Sequence, residues 1–81
     1  MSPVVWSDPH QDKFLSGWVP GFEDQYIPES EAKEKCLKHF DVCGGLTCRS
    51  DDDQCSLRAG RILGDSGPHE FSFTLDVYIV I

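Results

Sequence analysis

All four cysteines of this 81-residue chain, Cys36, Cys43, Cys48 and Cys55, fall in one short window. Two of them fix a strand register. Leu46-Thr47-Cys48 and Cys55-Ser56-Leu57 flank the polar stretch Arg49-Ser50-Asp51-Asp52-Asp53-Gln54. In an antiparallel hairpin where Cys48 faces Cys55, Leu46 faces Leu57. Side chains alternate with period two, so both pairs then lie on one face. Directly opposed residues sit about 4.5–5.5 Å apart at Cα, within the reach of a disulfide. The pattern therefore predicts a small disulfide-stapled module.

Size makes such staples valuable. A chain this short builds one domain with one modest core. A disulfide closing a loop of about eight residues contributes roughly 2.5 kcal/mol in the chain-entropy model. Two would supply a large share of a total of ~5–10 kcal/mol. Four cysteines allow three connectivities. Cys36–Cys43 with Cys48–Cys55 is preferred. Cys36–Cys55 with Cys43–Cys48 comes second, because Cys43 and Cys48 fall on opposite faces of one extended strand. A zinc alternative, Cys36-x2-His39-x3-Cys43-x4-Cys48, has no Cys-x2-Cys pair and ranks below disulfides.

The cysteines argue for an oxidising, extracellular compartment. Met1 to Trp6 has neither the basic start nor the apolar run of a secretory leader, so the expectation is a module excised from a longer precursor. The chain has no Asn, which excludes N-glycosylation. The net charge of −7 makes nucleic acid and anionic membranes poor partners. No stretch is long enough for membrane insertion. The run Asp51-Asp52-Asp53 reads as a solvated hairpin tip; it lacks the spaced ligands of a calcium loop. No cofactor is expected.

Along the chain, residues 1–13 read as an N-terminal extension, with Val4-Val5-Trp6 a short strand and the rest loop, ahead of a domain over 14–81. Phe14 to Tyr26 is turn-rich and places Trp18 and Phe22 on a core. Ser30 to Phe40 is the one helix, with Ser30 as N-cap and an apolar stripe of Ala32, Cys36 and Phe40. Lys33, Lys35 and Lys38 should stay mostly exposed. Hairpin strands span 45–48 and 55–58. Phe71 to Val77 alternates, so Phe71, Phe73, Leu75 and Val77 face the helix while Ser72, Thr74 and Asp76 face water or a partner. The expected fold is α+β: one helix packed on a twisted antiparallel sheet.

The order of short motifs carries a resemblance. Trp18-Val19-Pro20-Gly21-Phe22 is followed by Ala32-Lys33-Glu34-Lys35-Cys36-Leu37 and Cys43-Gly44-Gly45-Leu46-Thr47-Cys48. Then come Cys55-Ser56-Leu57-Arg58-Ala59-Gly60 and Glu70-Phe71-Ser72-Phe73. Over Gly17 to Leu75 the chain resembles PAN/Apple-like modules of extracellular proteins, as a divergent four-cysteine variant. Phe40 stands where such helices often carry a second cysteine, the terminal cysteines are absent and Cys48 is additional. The resemblance implies a twisted antiparallel sheet cradling a helix and a role in binding protein or carbohydrate, with no ligand specified.

Functional candidates are few. Arg58 and Arg61 form a cationic spot for a carboxylate or acidic partner, or else pair with surface acids. Trp18 and Tyr26 offer stacking surface for a sugar, or belong to the core edge. Gly64-Asp65-Ser66-Gly67-Pro68 mimics a serine-protease nucleophile motif, but no base accompanies it and the chain is too short for that fold; it reads as a turn. His10, His39 and His69 are scattered surface residues. The leading expectation is thus a non-enzymatic extracellular recognition or adhesion module for protein or glycan. The alternative is a structural subunit of an assembly, in which Tyr78 and Val80 put apolar groups on the polar face and contact a neighbour or a larger parent protein.

Overall fold

The computed structural model describes residues 4–77. Eight strands and one helix follow in the order β1 (Val4–Trp6), β2 (His10–Gln11), β3 (Lys13–Leu15), β4 (Ile27–Pro28), α1 (Glu29–Lys38), β5 (Gly45–Arg49), β6 (Gln54–Arg58), β7 (Leu63–Asp65) and β8 (Glu70–Val77). The class is α+β, with strands outweighing the single helix. The main sheet is antiparallel in the order β1-β8-β5-β6-β4, and β2 pairs with the same edge of β8 as β1. β3 and β7 make a separate two-stranded ribbon.

The hairpin has the expected register: Leu46 opposes Leu57 and Cys48 opposes Cys55. Both preferred disulfides are present, Cys36–Cys43 and Cys48–Cys55. All four sulfurs are thereby engaged with one another, which removes the thiolates a zinc site would need. On the helix-facing side, Leu46, Leu57, Phe73 and Leu75 pack with both disulfides, Ala32 and Val19 into one core, with Trp6, Phe22, Ile27 and Phe71 at its margin.

The helix departs from its expected ends. It begins at Glu29, with Pro28 in the cap position and no side-chain cap bond; Ser30 lies inside the first turn. Glu29 and Glu31 in that turn and Lys35 and Lys38 in the last match the helix dipole. Ala32 and Cys36 are fully buried, but Phe40 is 55% exposed. The cause is the Cys36–Cys43 bridge. It needs the chain to reverse at once after Lys38, and Val42 and Cys43 both donate to His39 O. Phe40 therefore leaves the helical stripe. Lys33 is half-buried rather than free in solvent. It pairs with Glu29 at 3.2 Å, and its ammonium lies 4.3 Å from the Phe73 ring centre. Lys35 is also half-buried, and Lys38 is exposed.

The opposite face of the sheet is polar yet covered. Ser72, expected at the surface, is fully buried, as are Thr47 and Ser56. β3 lies over them. Leu15 N donates to Thr47 Oγ1 at 2.9 Å, and Ser72 Oγ donates to Lys13 O at 2.7 Å. Ser72 has spent its proton, so Thr47 donates across the 3.0 Å contact between the two hydroxyls. Ser56 Oγ donates to Thr47 O. Every hydroxyl is satisfied, which is what allows this layer to be dry. Residues 10–13, read from sequence as loop, form β2 and the start of this cover. Lys13 also salt-bridges Asp65 across the ribbon, and the Lys13 ammonium holds the fully exposed Asp65 carboxyl below its ordinary range.

Gly45 is where the two layers close on each other. A Cβ there would lie 2.2 Å from Phe73 O and 2.6 Å from Leu15 Cδ1. Phe73 and Leu75 face the core as expected, and Phe71 does so partly. Tyr78, Val80 and the side chains of Asp76 and Val77 lie outside the described residues.

Three substitutions test this packing by denaturant unfolding. Leu46→Ala is expected to cost about 2–5 kcal/mol, as for a buried leucine, while Phe40→Ala costs less than about 1 kcal/mol. Thr47→Val, nearly isosteric, is expected to cost about 1–3 kcal/mol because the Leu15 amide loses its acceptor inside the covered layer. A large loss at Phe40, or none at Thr47, would contradict the packing.

Candidate functional site: an arginine–aromatic row on the polar face

The same alternation that sends Cys48 and Leu57 to the core sends Arg49 and Arg58 to the other face. Arg49 shares the parity of Thr47, and Arg58 that of Ser56, so the two guanidinium groups mark opposite ends of the hairpin. Tyr26 precedes Ile27, whose backbone pairs with Cys55. Trp18 is held by an isolated bridge to Arg58, flanked by bonds from Ala59 N to Gly17 O and from Gly60 N to Ser16 O. Gly17, at φ +81°, supplies the turn that brings Trp18 there, a conformation L-side chains rarely adopt.

The result is a continuous row. The Arg58 guanidinium carbon lies 4.2 Å from the Trp18 ring centre. The Trp18 and Tyr26 rings meet edge to face at 6.4 Å and 85°. The Arg49 guanidinium carbon lies 4.1 Å from the Tyr26 ring centre. Both contacts are within the range where a ring's negative face attracts a cation. Trp18 is 37% exposed, and Arg58, Tyr26 and Arg49 are half-buried. Three of the four residues singled out from sequence thus come together.

Arg58 is also a strut. Its Nε donates to Ser56 Oγ at 2.9 Å and its Nη1 to Leu15 O at 3.0 Å, tying the row to the β3 cover. Arg61 belongs elsewhere: its Nη1 donates to Leu75 O at 2.7 Å, fastening β8. Arg49 was masked in the sequence by the acidic tip beside it, although its register parity with Arg58 was available. It bonds Asp52 Oδ2 through Nη2 at 2.9 Å.

The tip itself is closed by its own acids. Asp52 Oδ1 accepts from Gln54 N, and Asp53 takes positive φ. Among the described residues, no group of three or more His, Cys, Asp or Glu is placed to hold a metal ion. His39 lies against Phe22, and His69 stands 3.9 Å from Asp51. In the protease-like motif, Asp65 ends β7 and pairs with Lys13, while Ser66 Oγ donates to Gly67 O. Among the described residues, no helix is long and apolar enough to cross a membrane. No family model, no curated protein and no solved structure matches the chain.

Arg58→Ala is expected to lower the melting temperature and to shift Trp18 fluorescence, because it removes one hydrogen bond to Leu15 O in the cover, one to Ser56 Oγ beneath it, and one stacked face. Arg61→Ala should leave that fluorescence unchanged. Identical spectra for wild type and Arg58→Ala would show that the guanidinium does not hold the ring.

Proposed function

We propose that this chain is a non-enzymatic extracellular recognition module of the PAN/Apple-like kind, binding protein or carbohydrate through the row Arg58–Trp18–Tyr26–Arg49. The observation that carries the reading is the row. Trp, Tyr and Arg are the residues that most often dominate interface energetics, because they combine large contact area with polar handles. Here they are grouped, partly open and fixed to a doubly stapled sheet, so little ordering cost remains on binding. Two disulfides in so small a domain are compatible with an oxidising, extracellular setting.

The test is to probe immobilised extracellular proteins and glycans with the disulfide-intact domain. At least one ligand is expected whose affinity falls about tenfold or more in both Trp18→Ala and Tyr26→Ala. Failure to retain any ligand, or retention indifferent to both substitutions, would overturn the reading.

A second reading, a structural subunit, is favoured by exposed apolar side chains outside the row. Leu37, Phe40, Val42 and Ile62 are exposed, Ile62 at 83%. Sedimentation over a wide concentration range separates the two. Self-association that is weakened by Phe40→Ser and Ile62→Ser favours the subunit, and a persistent monomer favours the recognition module.

A further inference from the structure

Among the described residues, each guanidinium of the row has one outer nitrogen uncommitted. Arg58 uses Nε and Nη1 on neutral oxygens of its own chain, and no carboxylate lies within salt-bridge distance of it among the described residues. Arg49 uses Nη2 on Asp52. Arg58 Nη2 and Arg49 Nη1 meet no acceptor among the described residues, and neither is a sealed donor; the one buried donor without an acceptor there is Arg49 Nε. Bonds to Ser56 and Leu15 and the stacked Trp18 ring hold the Arg58 fork in place before any ligand arrives, and the Tyr26 ring supports that of Arg49. A fixed guanidinium with an open N–H is suited to a negatively charged acceptor, since charge-assisted bonds are about twice as strong as neutral ones.

The spacing narrows the ligand. In the hairpin register Arg49 stands opposite Gln54, four residues from Arg58 along β6 on the same face. Four residues of extended chain span about 13 Å. An extended peptide with carboxylates four positions apart has the same backbone spacing, with both acids on one side. Trp18 and Tyr26 lie between and would cover the intervening residues. Resting on the recognition reading above, we infer that the row binds an extended acidic peptide segment with two carboxylate side chains at i and i+4.

The charge of −7 opposes such a ligand at long range. At physiological salt, screening over about 8 Å confines that opposition, so the local pair of cations governs the contact. The Arg49–Asp52 pair is a half-exposed surface ion pair, 42% and 46% exposed, of the kind that contributes little and exchanges readily with an incoming carboxylate.

The experiment is selection of binders to the disulfide-intact domain from an unbiased displayed-peptide library, in parallel with an array holding uronate-bearing, sialylated and neutral glycans. Selected peptides should be enriched in Asp or Glu at i and i+4. Replacing those acids by Gln or Asn should weaken binding about tenfold or more, and added salt should weaken it further. Arg49→Gln, whose one described hydrogen bond is to exposed Asp52, should reproduce the loss while its circular dichroism at the assay temperature matches wild type. Arg58→Gln tests the other end and is scored at a temperature where its circular dichroism matches wild type. Neutral or basic peptides that bind and are sensitive to Trp18→Ala would overturn the acidic-peptide inference and leave the recognition reading standing. Acidic glycans retained without any peptide would likewise overturn the peptide and assign a glycan. Absence of any binder sensitive to Trp18→Ala would overturn both.

Discussion

The bridge between Cys48 and Cys55 ties together two strands whose leucines already oppose each other, and the rest of the architecture follows from that register. A slip of one residue would reverse every side chain on a strand. If β5 slipped, Leu46 would leave the core and Thr47 would enter it without partners; a slip of β6 would do the same to Leu57 and Ser56. The covalent link holds β5 and β6 in one alignment. It thereby settles which side receives the helix, where β8 adds its Phe73 and Leu75, and which residues meet β3.

The two faces of the sheet are stabilised by different chemistry. One is an apolar core threaded by two disulfides. The other is a hydroxyl layer in which Thr47 and Ser72 bond each other and the backbone of β3, while Ser56 donates to the Thr47 carbonyl. Non-directional burial dominates the first, and directional bonds position the second. Arg58 links that second layer to the exposed rings, since the guanidinium that bonds Leu15 O and Ser56 Oγ also stacks on Trp18.

What could be read from the sequence was local. The hairpin register, the disulfide pairing and the C-terminal strand depend on period-two patterning over a few residues, and Cys48, Cys55, Leu46 and Leu57 encode them directly. Phe40 misled because helical spacing takes no account of a disulfide that ends the helix at Lys38. Ser72 misled because a serine on an alternating strand looks the same whether it meets water or another strand's carbonyl. Val4-Val5-Trp6 was legible as a short strand, but β2 and the start of β3 read as loop because their partners lie in β8 and β7, far along the chain. Of the candidate row, Arg58, Trp18 and Tyr26 were visible by residue type. Arg49 required the hairpin parity to be followed through the acidic tip.

The position of β8 bears on how the protein is made. It sits between β1 and β2 on one side and β5 on the other, with Trp6 opposite Leu75. A ribosome delivers β1 and β2 first and their partner after every other described strand. Until then the early strands have no edge to join, and the leucines of the hairpin have only a partial lid. The two bridges each close across seven positions and need no distant contact. Oxidation can therefore lock the central hairpin and the end of the helix while the chain is still emerging. Completion of the sheet waits for long-range pairing, the slow kind of step in folding. A compartment that oxidises thiols early would hand the final strand a preformed template.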